Sequence, residues 1–215
     1  MKKTAAFASG ALALALTAGT AHAVTNLVVD GDFTSPSGGT RFVTYHAGSI
    51  FGPWNVISGS IDLIGGYWQP PAPDTGSVDV NGTTDGSFGQ SISTGKGTYT
   101  LTFDLSGNPV GSPLTKVLQV SVGNVTKVFT YTIGKNSLTD MMWAPESLTF
   151  TTTGPTTLTF TSLDQLHTWY GPAVGNVSIT AVPEPASWAL MVLGVGIMGG
   201  ALRSRRWREA GLTRA

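Results

Sequence analysis

Five acidic residues, Asp62, Asp79, Asp140, Glu146 and Asp164, are the side chains best suited to chemistry in this 215-residue chain. Glycoside hydrolysis needs two carboxyl groups facing each other across a cleft, and nothing in the spacing of these five selects a pair. A serine hydrolase has less support still. No G-x-S-x-G stands in the sequence, and His46 and His167 are the only histidines beyond the first two dozen residues. With no cysteine, neither a disulfide framework nor a thiolate zinc site can form. The expectation is a protein that is not an enzyme.

Aromatic residues offer binding chemistry instead. Trp54, Tyr67, Trp68, Trp143, Trp169 and Tyr170 all lie beside glycine, proline or a strand end. Sugar rings have apolar C–H faces and hydrogen-bonding edges, so aromatic platforms with a few polar neighbours make carbohydrate sites. The same residues could instead cap the open ends of a hydrophobic core, and from sequence both readings stand for each of them.

The elements that must position these aromatics show a period of two. In Thr98 to Leu105 every second residue is large and apolar. Leu118, Val120 and Val122 repeat the pattern, as do Phe129, Tyr131 and Ile133, Leu148 and Phe150, Leu158 and Phe160, and Val177 and Ile179. Alternation of this kind marks strands with one buried face, and the Gly, Pro, Asn and Asp clusters between runs mark turns. The expected fold is all-β: an antiparallel sandwich, a jelly roll in particular. The runs of threonine are solvated strand faces, since an ice-binding array would need a regular repeat that is absent.

Both ends of the chain read as targeting segments. Lys2 and Lys3 precede an apolar, small-residue stretch from Ala5 to Ala18, and Ala21-His22-Ala23 offers the A-x-A pattern read by signal peptidase. Residues 1–23 are therefore expected to be a signal peptide, with the mature chain starting at Val24. At the other end, Val182-Pro183-Glu184-Pro185 leads into 17 uncharged residues, Ala186 to Leu202, and then into the basic run 203–208 and a tail, 209–215. At about 1.5 Å per residue, 17 residues make a helix just able to enter a membrane and cross it. The arginines that follow form a cytoplasmic stop. Pro183 and Pro185 each lack an amide donor and disfavour helix in the preceding residue, so the motif stays extended, with Glu184 as its one charged handle. Gly194 to Gly199 satisfies G-x-G-x-x-G, but no strand precedes it and the dinucleotide reading fails on context.

The domain between, residues 24–181, holds five basic residues against ten acidic ones, a net charge of −5. Clustered lysine and arginine are what neutralise phosphates, so nucleic acid is excluded as a partner.

The tail resembles the PEP-CTERM sorting signal, in which an exosortase, a membrane-embedded cysteine transpeptidase-like enzyme, processes the chain near Pro183-Glu184-Pro185. That resemblance implies export across the inner membrane and residence at the cell surface, outer envelope or extracellular matrix, with the membrane helix temporary. A second resemblance runs through most of Asn26 to Ala181. Asn26 to Phe33 is similar to N-L-V-x-N-G-D-F-E. Tyr67-Trp68 with Gly76 to Gly82 is similar to Y-W…G-S-V-D-L-N-G, and Gly86 to Gln90 to the strand that follows it. Tyr99 to Pro109 resembles Y-T-L-T-F-D-L-A-G-N-P, and Tyr170-Gly171-Pro172 with Asn176-Val177-Ser178 resembles Y-G-P-x-L-D-N-V-S. Together they resemble the choice-of-anchor C family, related to a plant cell-wall domain with a galactose-binding-like jelly roll.

The second resemblance implies non-catalytic binding of extracellular polysaccharide, with no cofactor. In related jelly rolls, acidic residues near the two ends of the domain help hold a structural calcium. Here Thr34 and Gly175 stand where the family has acids, which leaves Asp30 and Asp32 as the remaining oxygen donors. A polar turn around Gly31 accounts for both without a metal. The rival expectation for the domain is a structural matrix or adhesion protein whose partner is another protein.

Overall fold

The computed structural model describes residues 25–73, 75–164, 168–183, 192–198 and 203. The expected signal peptide, Glu184, Pro185, His167 and most of the C-terminal apolar run and basic stop lie outside the described residues. Within the run, residues 192–198 are helical. Among the described residues no helix is long and apolar enough to cross a membrane.

Among the described residues, twelve strands form two six-stranded antiparallel sheets. One sheet runs in the order β1 (Phe42–His46), β4 (Ser60–Ile64), β5 (Ser77–Asp79), β12 (Pro172–Ala181), β7 (Gly97–Gly107), β10 (Ala144–Thr152). The other runs β2 (Ile50–Phe51), β3 (Trp54–Ser58), β6 (Ser87–Ile92), β11 (Thr156–Ser162), β8 (Thr115–Val122), β9 (Val125–Thr132). From β5 onward each strand crosses to the other sheet, except across the β8–β9 hairpin, so that β5-β12-β7-β10 faces β6-β11-β8-β9, which is jelly-roll connectivity. Strands β1 to β4 widen both sheets on the β5/β6 side.

The alternation read from sequence holds in β7, β8 and β11. Tyr99, Leu101, Phe103 and Leu105 point inward from β7 and meet Leu118, Val120, Val122, Leu158 and Phe160 from the opposite sheet. Ile133 is buried but follows β9 rather than belonging to it, its amide bonding to the Leu114 carbonyl. At the middle of the core, Phe88 stacks on Phe160 with centroids 5.2 Å apart and meets Trp54 edge-on at 5.3 Å.

Two strands in the first half of the sandwich have no solvated face. Every residue of β4 and β5 is buried, because segments 65–73 and 134–143 lie over the outer face of that sheet. Beneath them a second, smaller apolar cluster forms from Ile64, Trp68, Met141 and Ala173, with Tyr67, Leu138 and Trp143 packed against it. This outer layer is what leaves a cleft at its edge.

A candidate carbohydrate cleft

Strand register assembles the floor of the cleft. Thr44 of β1 lies opposite Asp62 of β4, Asp62 opposite Asp79 of β5, and Asp79 opposite Ala173 of β12. Residues directly opposite share a face, so these side chains form a row on the outside of the sheet. Thr44 Oγ1 donates to Asp62 Oδ1 at 2.6 Å. The amides of Gly65 and Tyr67 both donate to the Arg41 carbonyl, which brings the segment after β4 alongside the start of β1. Tyr67 thereby meets Phe42 edge-on at 5.4 Å, and the Arg41 guanidinium lies 5.3 Å from the Tyr67 ring centre and 5.8 Å from that of Phe42.

The opposite wall comes from the loops after β7 and before β12. Tyr170 packs against Gly111, where a methyl group would fall 2.1 Å from its ring. Trp169 stands beside it, 64% exposed. Between the walls is an open cleft of about 330 Å3, lined by Arg41, Phe42 and Tyr67 on one side and Val110, Trp169 and Tyr170 on the other. Thr44, Asp62, Thr83 and Asn108 supply its polar floor. A larger hollow of about 580 Å3 opens near the β8–β9 turn, lined mainly by threonines with Lys96 and Asn124. It contains neither an aromatic ring nor a carboxylate, so the smaller cleft has the richer chemistry.

Behind the floor, three loops converge on Asp79, which is 1% exposed. Its Oδ1 accepts from the amides of Asn81 and Gly171, both at 3.0 Å, and its Oδ2 accepts from Asn108 Nδ2 at 2.8 Å. Burial pushes the Asp79 carboxyl up to about 8, against the pull of those donors. Burial also raises Asp62, opposed by the Thr44 hydroxyl and by His46. The fully buried Lys116 of β8 donates to the carbonyls of Gly111, at 2.7 Å, and Tyr170. Desolvation lowers its pKa while Asp164 and Asp79 hold it up. Asp164, taking the Val117 amide at 2.6 Å, is pushed up to about 6 by its own burial.

Of the six aromatics expected to contact sugar, Tyr67, Trp169 and Tyr170 converge here. Trp54 and Trp68 require correction. Trp54 is 0% exposed, its ring in the central aromatic cluster and its indole N–H donating to the Asp30 carbonyl at 3.0 Å. Trp68 is 3% exposed and donates to Ser77 Oγ at 2.8 Å. Each sits next to turn residues in sequence, yet the Trp54 ring turns into the core between the sheets and the Trp68 ring into the outer cluster. Trp143 is half-buried on the outer cluster, donates to the Gln69 carbonyl at 3.0 Å and does not line the cleft. Arg41, Phe42, Asp62 and Asn108 were not singled out as contacts from sequence. One signal pointed to Arg41: it is the only arginine between residues 24 and 181.

Asp30 closes a turn. Its φ is +53°, and its Oδ1 accepts from the Thr34 amide at 2.9 Å, the Thr34 hydroxyl at 3.3 Å and the Ser35 amide at 3.1 Å. Asp32 hydrogen-bonds to Asp30 and raises its pKa, after burial, which is the larger cause. Among the described residues no group of three His, Cys, Asp or Glu side chains could hold a metal ion.

Comparison with known proteins resolves the tail. Residues 181–206 match the model of the PEP-CTERM protein-sorting motif. The chain carries a PEP-CTERM signal. Such a signal marks a chain for export, exosortase processing and surface localisation, and Pro183, the part of the motif described, is exposed just beyond β12. Over 185 aligned residues the chain is 30% identical to halomucin of Haloquadratum walsbyi, a match covering 81% of this chain and 2% of that protein. The chain thus spans about one-fiftieth of the length of this curated relative. Among solved structures, the chain is similar to the CBM35 module of Paenibacillus barcinonensis, at 19% identity and a TM-score of 0.43 over 65% of this chain and 99% of the module. It is also similar to TmCBM61, solved with β-1,4-galactotriose, at 15% identity and a TM-score of 0.47 over 74% and 99%.

Proposed function

We propose that residues 24–181 form a non-catalytic polysaccharide-binding module of the choice-of-anchor C, galactose-binding-like type, delivered to the cell surface by disposable signals at both ends. One observation carries the reading: Tyr67, Trp169 and Tyr170, from segments a hundred residues apart, face one cleft whose floor is polar. Rings of this kind take the C–H face of a pyranose, while Arg41, Thr44, Asp62, Thr83 and Asn108 reach its hydroxyls. The cleft's volume lies at the lower end of the range for small-ligand sites and suits one or two sugar units.

Hydrolysis has less support. A glycosidase sets two carboxyl groups about 5–10 Å apart across the scissile bond. Asp62 is the one carboxylate lining this cleft, and Asp79 is buried behind it. In the same reading, signal peptidase cuts after Ala23, the apolar run 186–202 holds the chain in the membrane, and the exosortase cuts near Pro183-Glu184-Pro185.

Affinity electrophoresis through gels containing polysaccharide extracted from the producing cell's envelope tests the module. Retardation of the wild type, lost in Trp169→Ala and Tyr67→Ala, and no new reducing ends on incubation are expected. Absence of retardation together with self-association would replace this reading with a protein-binding matrix role.

A further inference from the structure

The residues that hold the cleft's walls in place are not the ones that line it. Asn81, Asn108 and Gly171 each bring a different loop to Asp79, and those loops carry Thr83, Val110 and Tyr170. Each of the three groups hydrogen-bonded to Asp79 is a donor, which accounts for two oxygens that accept but provides no place for a carboxyl proton. One acceptor nearby has no partner. Asn81 is 0% exposed, its Nδ2 donates to Asp85 Oδ1 at 2.9 Å, and its Oδ1 is buried with nothing bonded to it. A methyl group on Gly171 would stand 2.7 Å from both Asn81 Oδ1 and Asp79 Oδ1, so the two oxygens border the same small space. A buried amide oxygen without a donor is costly, and a carboxylic acid beside it supplies one.

We propose that Asp79 is a positioning residue that works as a neutral acid, donating its proton to Asn81 Oδ1 while accepting from the Asn81 and Gly171 amides and from Asn108 Nδ2. Its ionisation releases the wall built from Trp169 and Tyr170. The charged surroundings agree. Asp62 faces Asp79 from β4 and opposes a second negative charge. Lys116, from β8, favours one, and is itself held by Asp164. Asp85 lies on the far side of the Asn81 amide, and β12 contributes only Gly171 and Ala173. The balance of burial and these charges leaves the acid form in place through neutral pH and removes it near pH 8. The inference concerns the cleft read above as the saccharide site, and its first readout needs no saccharide.

The test is a carbon-13 NMR titration of the Asp79 carboxyl in the intact chain, with the Gly171 amide and the Trp169 and Tyr170 side chains followed in parallel. The expected result is a neutral carboxyl at pH 7 and one alkaline step that moves all four signals together. Asp79→Asn, whose carboxamide oxygen keeps the acceptor for the Asn81 and Gly171 amides and which cannot ionise, should abolish the step and disturb the aromatic signals less than Asp79→Ala. Asp79→Ala should shift them at every pH. Affinity for the envelope polysaccharide should fall about tenfold one pH unit above the step, where about one-tenth of the acid form remains, and stay flat in Asp79→Asn. A carboxyl already ionised at pH 7, or an Asn variant as disturbed as the Ala variant, would overturn the proposal. Should the NMR step occur while no variant binds polysaccharide, the positioning role stands and the saccharide reading falls.

Discussion

Lys116 and Asp79 grip the two ends of a single peptide group. The ammonium takes the Tyr170 carbonyl and the carboxyl takes the Gly171 amide, from opposite sides of the bond that joins those residues. The Gly171 carbonyl is used in turn by the Asn108 amide at 2.9 Å. Neither clamp residue is exposed, so the aromatic wall is oriented by polar contacts that water does not reach, where each contact is stronger and each loss more costly. Lys116→Met preserves the stem that packs beside Gly107 but leaves the Gly111 and Tyr170 carbonyls without their donor. The expected loss is about 3 kcal/mol, read as a lower denaturation midpoint with an unchanged slope.

Gly171 has no room to be anything else. A β-carbon there would lie 2.7 Å from Asn81 Cγ, Asn81 Oδ1 and Asp79 Oδ1, and both residues are held in place by other bonds of their amides and side chains. Gly171→Ala should therefore destabilise by about 1–3 kcal/mol, the usual cost of overpacking, and displace the Tyr170 ring. Calorimetry measures the first effect. Tyrosine near-ultraviolet circular dichroism measures the second, and an alanine variant as stable as wild type would show that the loop can move away.

The sandwich was legible where its strands have one wet face, and obscure where they have none. Runs such as Thr98 to Leu105 and Thr156 to Thr161 alternate because their outer side chains meet water, and there the sequence reading and the strands coincide. In β4 and β5, Ser60 to Ile64 and Ser77 to Asp79 are buried on both sides by the covering loops, so the period of two disappears. Burial that no local pattern marks also misled the aromatic reading. Trp54 follows Gly52-Pro53 and Trp68 precedes Pro70-Pro71, which looks like loop surface, yet Trp54 opens an inward-facing strand and Trp68 anchors the outer cluster. The cleft itself was half legible. Tyr67, Trp169 and Tyr170 carry a chemical label, whereas Asp62 and Asn108 become floor residues through pairing register and a loop contact. Three of the blocks singled out in the sequence, Gly76 to Gly82, Tyr99 to Pro109 and Tyr170 to Pro172, meet at Asp79.

The aromatic residues divide into two groups with opposite behaviour on truncation. Trp169→Ala should cost about 2 kcal/mol or more of polysaccharide affinity and under about 0.5 kcal/mol of stability, because its ring is largely in solvent. Trp54→Ala should cost about 3–5 kcal/mol of stability, since it empties the centre of the core and removes the donor to the Asp30 carbonyl. Chemical denaturation alongside affinity electrophoresis separates the two, and equal stability losses would contradict the burial assigned to them.

The buried carboxyls give the fold an unusual dependence on pH. Asp79 is pushed up to about 8 and Asp164 to about 6, each by burial, and Asp30 and Asp62 are raised as well. In the unfolded chain these groups lose their protons near pH 4. Below that value both states are protonated and the full stability is present. As pH rises past it, the unfolded state ionises freely while the folded state retains protons, so stability declines until the folded groups ionise too, near 6 for Asp164 and near 8 for Asp79. The melting temperature should accordingly be higher at about pH 5 than at about pH 8, the reverse of a domain held by paired carboxylates. Asp164→Asn keeps an acceptor for the Val117 amide and should flatten the slope between about pH 4 and 6 while leaving the segment up to about 8 intact. A melting temperature that rises steadily from pH 5 to 8 would mean that these carboxyls are ionised in the fold, and that the donors around Asp79 outweigh its burial.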